Sequence, residues 1–205
     1  MTEANKEIGK RRTQRGFALI EVLIAMVILT VGMCAVLASF GLAITATESA
    51  QEDLIARQKA LDALESIYTA RNSQQIPFAA IQNVGAGGIF SAGPQPLLCA
   101  GPTYGIVGVS GDTSNCKTAS GATCPGGVEC MVLPGPDGVL GSGTDQTLSL
   151  SNFTRTIAFN PVNLPVAQGG GVNTNLIAVT VTVAYTKPNW PARSYVVNGL
   201  ISSYH

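Results

Sequence analysis

The feature that most constrains this chain is an apolar run: from Val22 to Thr47 there are 26 residues without a charged side chain. Leu, Ile, Val, Ala and Met dominate it. As a helix it extends about 39 Å at about 1.5 Å per residue, more than the ~30 Å hydrocarbon core of a bilayer. A helix of a soluble core is rarely so uniformly apolar, because one of its faces normally meets water. The run also exceeds the roughly 7 to 15 apolar residues of a secretory signal. Ile44-Thr45-Ala46 is nevertheless a tolerable signal-peptidase site, so cleavage there is the competing reading.

A basic cluster, Lys10 to Arg15, abuts the run and places that end in the cytoplasm by the positive-inside tendency. Everything after Thr47 is then exterior. The formal net charge of zero hides this asymmetry. Lys6, Lys10, Arg11, Arg12 and Arg15 against Glu3 and Glu7 give the first sixteen residues +3, and the remaining seven basic and ten acidic side chains give −3. The body therefore carries no nucleic-acid footprint. With 46% hydrophobic and 12% charged residues the chain is too apolar to be disordered.

All eleven prolines lie at or after Pro77, and only four of 23 glycines precede Gly85. A proline inside a helix removes a donor and clashes with the preceding turn, at a cost of roughly 3 kcal/mol. The first 76 residues can thus be continuously helical. Leu54, Leu61, Leu64 and Tyr68 recur at helical spacing, with Glu52, Asp53, Arg57, Lys59, Asp62 and Glu65 supplying most of the polar surface. That pattern predicts an amphipathic helix whose leucine stripe covers a core. Joined to the apolar run, it predicts one helix from near Phe17 to near Arg71.

Glu21 is the anomaly. A carboxylate near the start of a membrane span costs, by the lower estimates, about 2.5 to 3.5 kcal/mol if it reaches the bilayer centre, so it either lies hydrated at the interface or has a partner. Its surroundings read Gly16-Phe17-Ala18-Leu19-Ile20-Glu21-Val22-Leu23-Ile24-Ala25-Met26 behind a basic leader. This word closely resembles the cleavage and methylation signature of type IV prepilins and the related pseudopilins. The resemblance implies that a membrane aspartyl peptidase, the prepilin peptidase, cuts after Gly16 and methylates the new N-terminal Phe17. It also implies a partner for Glu21, the Phe17 amine of a neighbouring subunit, each charge compensating the other as the helix enters a filament. The implied fold is α+β and pilin-like: a long N-terminal helix, half membrane-spanning and half amphipathic, packed on a small antiparallel sheet. Many major pilins interrupt the apolar half with a proline, where this chain has only Gly32 and Gly41 as weak points. The stretch from Ala50 to Gln75 is more similar to PilV-type minor pilins than to a major pilin.

From Pro77 to Gly143 the chain is rich in Gly, Pro, Ser and Thr and reads as loops around short apolar runs, Tyr104 to Val109 and Val128 to Leu133. Strand signals then strengthen at Phe153 to Phe159, Leu176 to Thr186 and Ser194 to Ser202. In the middle one, Ile177, Val179, Val181, Val183 and Tyr185 alternate with Ala and Thr, the period of a half-buried strand. Cys34 lies in the membrane run as a packing residue. Cys99, Cys116, Cys124 and Cys130 lie in the exterior, where two disulfides are expected, with three pairings open. Zinc is disfavoured, since there is no Cys-x-x-Cys pair and the only histidine is His205.

Asp137 and Asp145 share a glycine-rich stretch and are weak calcium candidates. That stretch lacks the third acid and the closing glutamate of an EF-hand, so a plain turn is preferred and no cofactor is expected. Gly169-Gly170-Gly171 has no phosphate-loop lysine and reads as a connection. Nothing resembles a catalytic centre, there being no internal histidine and no Gly-x-Ser-x-Gly word. The expected organisation is a leader over 1–16, a transmembrane half-helix over 17–47, an amphipathic half-helix over 48–76 and a loop-rich β head over 77–205. The expected function is a type IV pilus minor pilin, a non-enzyme anchored in the bacterial inner membrane with other pilin subunits as partners. A type II secretion pseudopilin and a membrane-anchored exterior binding protein or enzyme are the alternatives.

Overall fold

The computed structural model describes residues 19–118, 121–163, 165, 168–187 and 190–204. One helix, α1, spans Leu19–Asn72 and continues through Gly32 and Gly41. The chain divides into two compact units at the junction of Glu48 and Ser49. In the first, the helical residues are almost all exposed, the large apolar side chains included.

The second unit holds six strands: β1 (Gln95–Pro96), β2 (Cys130–Leu133), β3 (Gln146–Ser149), β4 (Phe153–Asn163), β5 (Val172–Tyr185) and β6 (Arg193–Ser202). The main sheet has the order β1-β4-β5-β6 and is antiparallel throughout. A second, two-stranded antiparallel sheet pairs β2 with β3. The three strands expected from alternation are β4, β5 and β6, each running somewhat longer than its signal or starting slightly earlier. Pro161, which has no N–H to give, sits where the β4–β5 register shifts. This is an α+β, pilin-like fold: a long N-terminal helix packed on a small antiparallel sheet.

The core lies between helical residues 49–72 and the inner sheet face. Phe153 and Ile157 on β4, Val179, Val181, Val183 and Tyr185 on β5, and Ile201 on β6 are buried. The helix meets them with Ile55, Ala56, Ala60, Ala63, Ile67 and Ala70. This corrects the expected leucine stripe. Leu64 and Tyr68 are partly buried against the core, but Leu54 and Leu61 are 63% and 41% exposed. The buried set Ala60, Ala63, Ile67 lies one residue before Leu61, Leu64, Tyr68, a rotation of about 100° around the helix. Alanine carries little weight in a hydrophobic pattern, yet on a helix face it fills a shallow site where leucine would clash. The chain after the helix contributes as well: Ile76, Ile81, Phe90, Leu97, Ile106 and Val109 are all buried, and the Phe90 and Phe159 rings meet tilted, with centroids 4.8 Å apart.

Candidate functional site

Helical residues 19–48 are suited to lipid by what they do with their polar groups. Thr30, Thr45 and Thr47 donate their hydroxyls to Val27 O, Leu42 O and Ala43 O at 2.9, 3.0 and 2.9 Å, within the helix itself. No hydroxyl among these three is left for hydrocarbon to strand. The helix is long and apolar enough to cross a membrane. Glu21 stands exposed in its first turn, the one charged side chain between Leu19 and Thr47. Cys34 is exposed as a free thiol. Gly16, Phe17 and the leader lie outside the described residues.

Residues 11–37 match the family described as the prokaryotic N-terminal methylation motif. The match supports a type IV pilin-like family. It contains Gly16, Phe17 and Glu21 and runs into the apolar helix, so in a pilin-like chain it implies processing by prepilin peptidase and assembly with other pilin subunits. The motif marks structural subunits rather than enzymes. With the apolar helix, it points to a membrane-anchored pilin. Comparison with curated proteins and with solved structures gives no match.

In the second unit the four cysteines form Cys99–Cys116 and Cys124–Cys130, one of the three pairings open to the sequence. Asp137 and Asp145 sit in one turn and share Ser142 as a hydrogen-bond partner. Asp137 accepts from Val139 N at 3.2 Å, and Asp145 accepts from Gly141 N at 2.6 Å and Ser142 Oγ at 3.4 Å. Hydrogen bonding, first from Ser142 and then from Val139 N, holds Asp137 below the usual carboxylate range. Among the described residues no group of three His, Cys, Asp or Glu side chains is placed to hold a metal ion. An apolar groove of about 480 Å³ opens between Phe78, Phe159, Pro161, Leu176 and Ile177, and its lining has no ionisable side chain.

The head carries a charge cluster that the sequence reading missed. Arg155, on the inner face of β4 and 3% exposed, has Glu129 Oε1 at 3.6 Å and Asp112 Oδ2 at 3.9 Å. Lys59 of α1 closes on the same Glu129 at 2.6 Å. Desolvation lowers the Arg155 pKa, opposed by Glu129 and Asp112. Burial likewise pushes the Asp112 carboxyl up, outweighing the Gly108 N–H and Arg155 that pull it down. A signal was present: Arg155 is a charge on the otherwise apolar inward phase of its strand, between Phe153 and Ile157.

Proposed function

We propose that this chain is a minor subunit of a type IV pilus, most similar to the PilV type, which enters or initiates a membrane-rooted filament. Prepilin peptidase removes residues 1–16 and methylates Phe17. The observation that carries the reading is the methylation motif at 11–37, which overlaps a helix, described from Leu19 onward, that is long and apolar enough to cross a membrane. Two costs make cleavage a condition of assembly. The leader would bring its basic side chains into the filament core, and Glu21 would lack the amine that compensates it. In this reading the helix is rooted in the bacterial inner membrane and the head is periplasmic until assembly carries it outward. No cofactor takes part.

The test is the intact mass of the native protein and of a Gly16→Ile variant. The native chain is expected to begin at methylated Phe17, and the variant to stay full length in the membrane. An uncut native chain would overturn the reading. A processed chain that copurifies with a secretion apparatus rather than with pili would move it to the type II pseudopilins.

A further inference from the structure

Arg155 is buried by charges that both arrive on disulfide-closed loops. Asp112 lies inside the loop closed by Cys99–Cys116, and Glu129 inside the loop closed by Cys124–Cys130. The backbone ties run the same way. Thr113, next to Asp112, exchanges hydrogen bonds with Cys99 in both directions, at 3.0 and 3.2 Å. Leu98, the neighbour of Cys99, turns its carbonyl to Arg155 Nη2 at 3.4 Å. Glu129 donates its N–H to Leu97 O at 2.7 Å and accepts from Leu150 N at 3.1 Å. Gly108 N donates to Asp112 Oδ2 at 2.6 Å, and a Cβ on Gly108 would stand 2.3 Å from Ile157 Cδ1. With Lys59 the cluster is neutral, two cations against two anions from four separate segments.

We propose that Arg155 makes completion of the head core conditional on both cystines: they hold in place the two acid-bearing loops that enclose its guanidinium. A buried charge stripped of its partner is far more costly than the pair. Opening either cystine releases an acid-bearing loop into a larger ensemble, and Arg155 then draws water into the inner face of β4. Arg155 Nε and Asp112 Oδ1 are buried and find no hydrogen-bond partner among the described residues. Closure is thiol–disulfide exchange: two cysteine thiols give two electrons and two protons to an oxidant disulfide, which leaves as a dithiol. The coupling does not depend on filament membership.

The test uses the full chain in detergent micelles, oxidised and after reduction by dithiothreitol, which leaves as its cyclic disulfide while each cysteine sulfur takes a proton. Tm is compared between wild type and the double variant Asp112→Asn, Arg155→Met, which keeps the neutral Lys59–Glu129 pair. Reduction is expected to lower the wild-type Tm by roughly 5 to 15 °C, and that of the double variant by less than half as much. Equal losses would mean that the cystines act on the chain alone and would overturn the coupling. Hydrogen exchange on the wild type gives a second reading that needs no variant. Reduction is expected to speed exchange around Phe153 to Ile157 before it affects the β5–β6 ladder, and a uniform change across both would also overturn it.

Discussion

A single side chain, Asp112, gives the head a pH dependence whose sign can be worked out. Its carboxyl is pushed above the ordinary range by burial, so the folded state holds that proton more tightly than the unfolded chain does. The contribution to stability is complete below the unfolded value and is lost as the pH rises through the folded value. Asp112→Asn removes this slope. Whatever offset the variant carries at acid pH, its Tm relative to wild type is expected to improve on going from acid to neutral. Thermal melts at several pH values check it, and a difference independent of pH would show that folding does not shift the Asp112 pKa. At this scale legibility was uneven. Glu21 stood out because a charge in an apolar helix has no neighbours to hide among, and the exterior position of four cysteines implied disulfides. Their pairing, and the Lys59–Glu129–Arg155–Asp112 cluster, depend on which loops meet in space, and loop meetings carry no periodic signal.

At the scale of an element, helical residues 49–72 pin the sheet with polar side chains as well as apolar ones. Asp53 accepts from Tyr185 Oη at 2.6 Å and from Arg193 Nη1 at 3.2 Å. Arg71 donates Nη2 to Ser202 O and to Tyr204 O. Tyr68 both donates to Leu200 O at 3.0 Å and accepts from Leu200 N at 3.1 Å, on β6 at the edge of the sheet. An edge strand with free backbone groups invites pairing with another chain, and Tyr68 occupies one residue's worth of that edge. Gly199 makes room for it, since a Cβ there would stand 2.6 Å from the Tyr68 hydroxyl and 3.0 Å from Leu64 Cδ1. Gly199→Ala is expected to cost about 1 to 3 kcal/mol through overpacking. Tyr68→Phe, which loses only hydrogen bonds that water can replace in part, costs about 1 kcal/mol. Because removing the hydroxyl clears space for the methyl, Gly199→Ala should cost less in the Tyr68→Phe background. Denaturant melts of the four proteins check this, and strict additivity would mean that Tyr68 and Gly199 do not share the site. The helix itself was readable from its lack of proline. Its buried face was not, because that face is largely alanine.

At the scale of the whole molecule, the chain was legible as an apolar segment followed by a folded exterior part, since composition changes abruptly where the charges return after Thr47. The structure divides it at nearly the same place, with residues 49–205 as the second unit. What composition could not locate is where the head begins as a folding unit. Read by glycine and proline, it starts at Pro77. Read by burial, it starts earlier, because Ile55, Ala56, Ala60, Ala63, Ile67 and Ala70 belong to the same core as Phe153, Val181 and Ile201. A chain beginning at Glu48 retains that face together with Asp53, Lys59, Tyr68 and Arg71. It is expected to fold alone, as a soluble monomer with a cooperative melt. A chain beginning at Pro77 exposes the inner face of the sheet and leaves Glu129 without Lys59. At ~25 cal/mol per Å², a few hundred Å² of lost burial amounts to several kcal/mol, comparable to the full stability of a small domain. The shorter chain should therefore aggregate or melt without cooperativity. Equal heat resistance of the two chains, both soluble and monomeric, would show that helical residues 49–72 are not part of the head core, and the pilin-like packing of helix on sheet would have to be withdrawn.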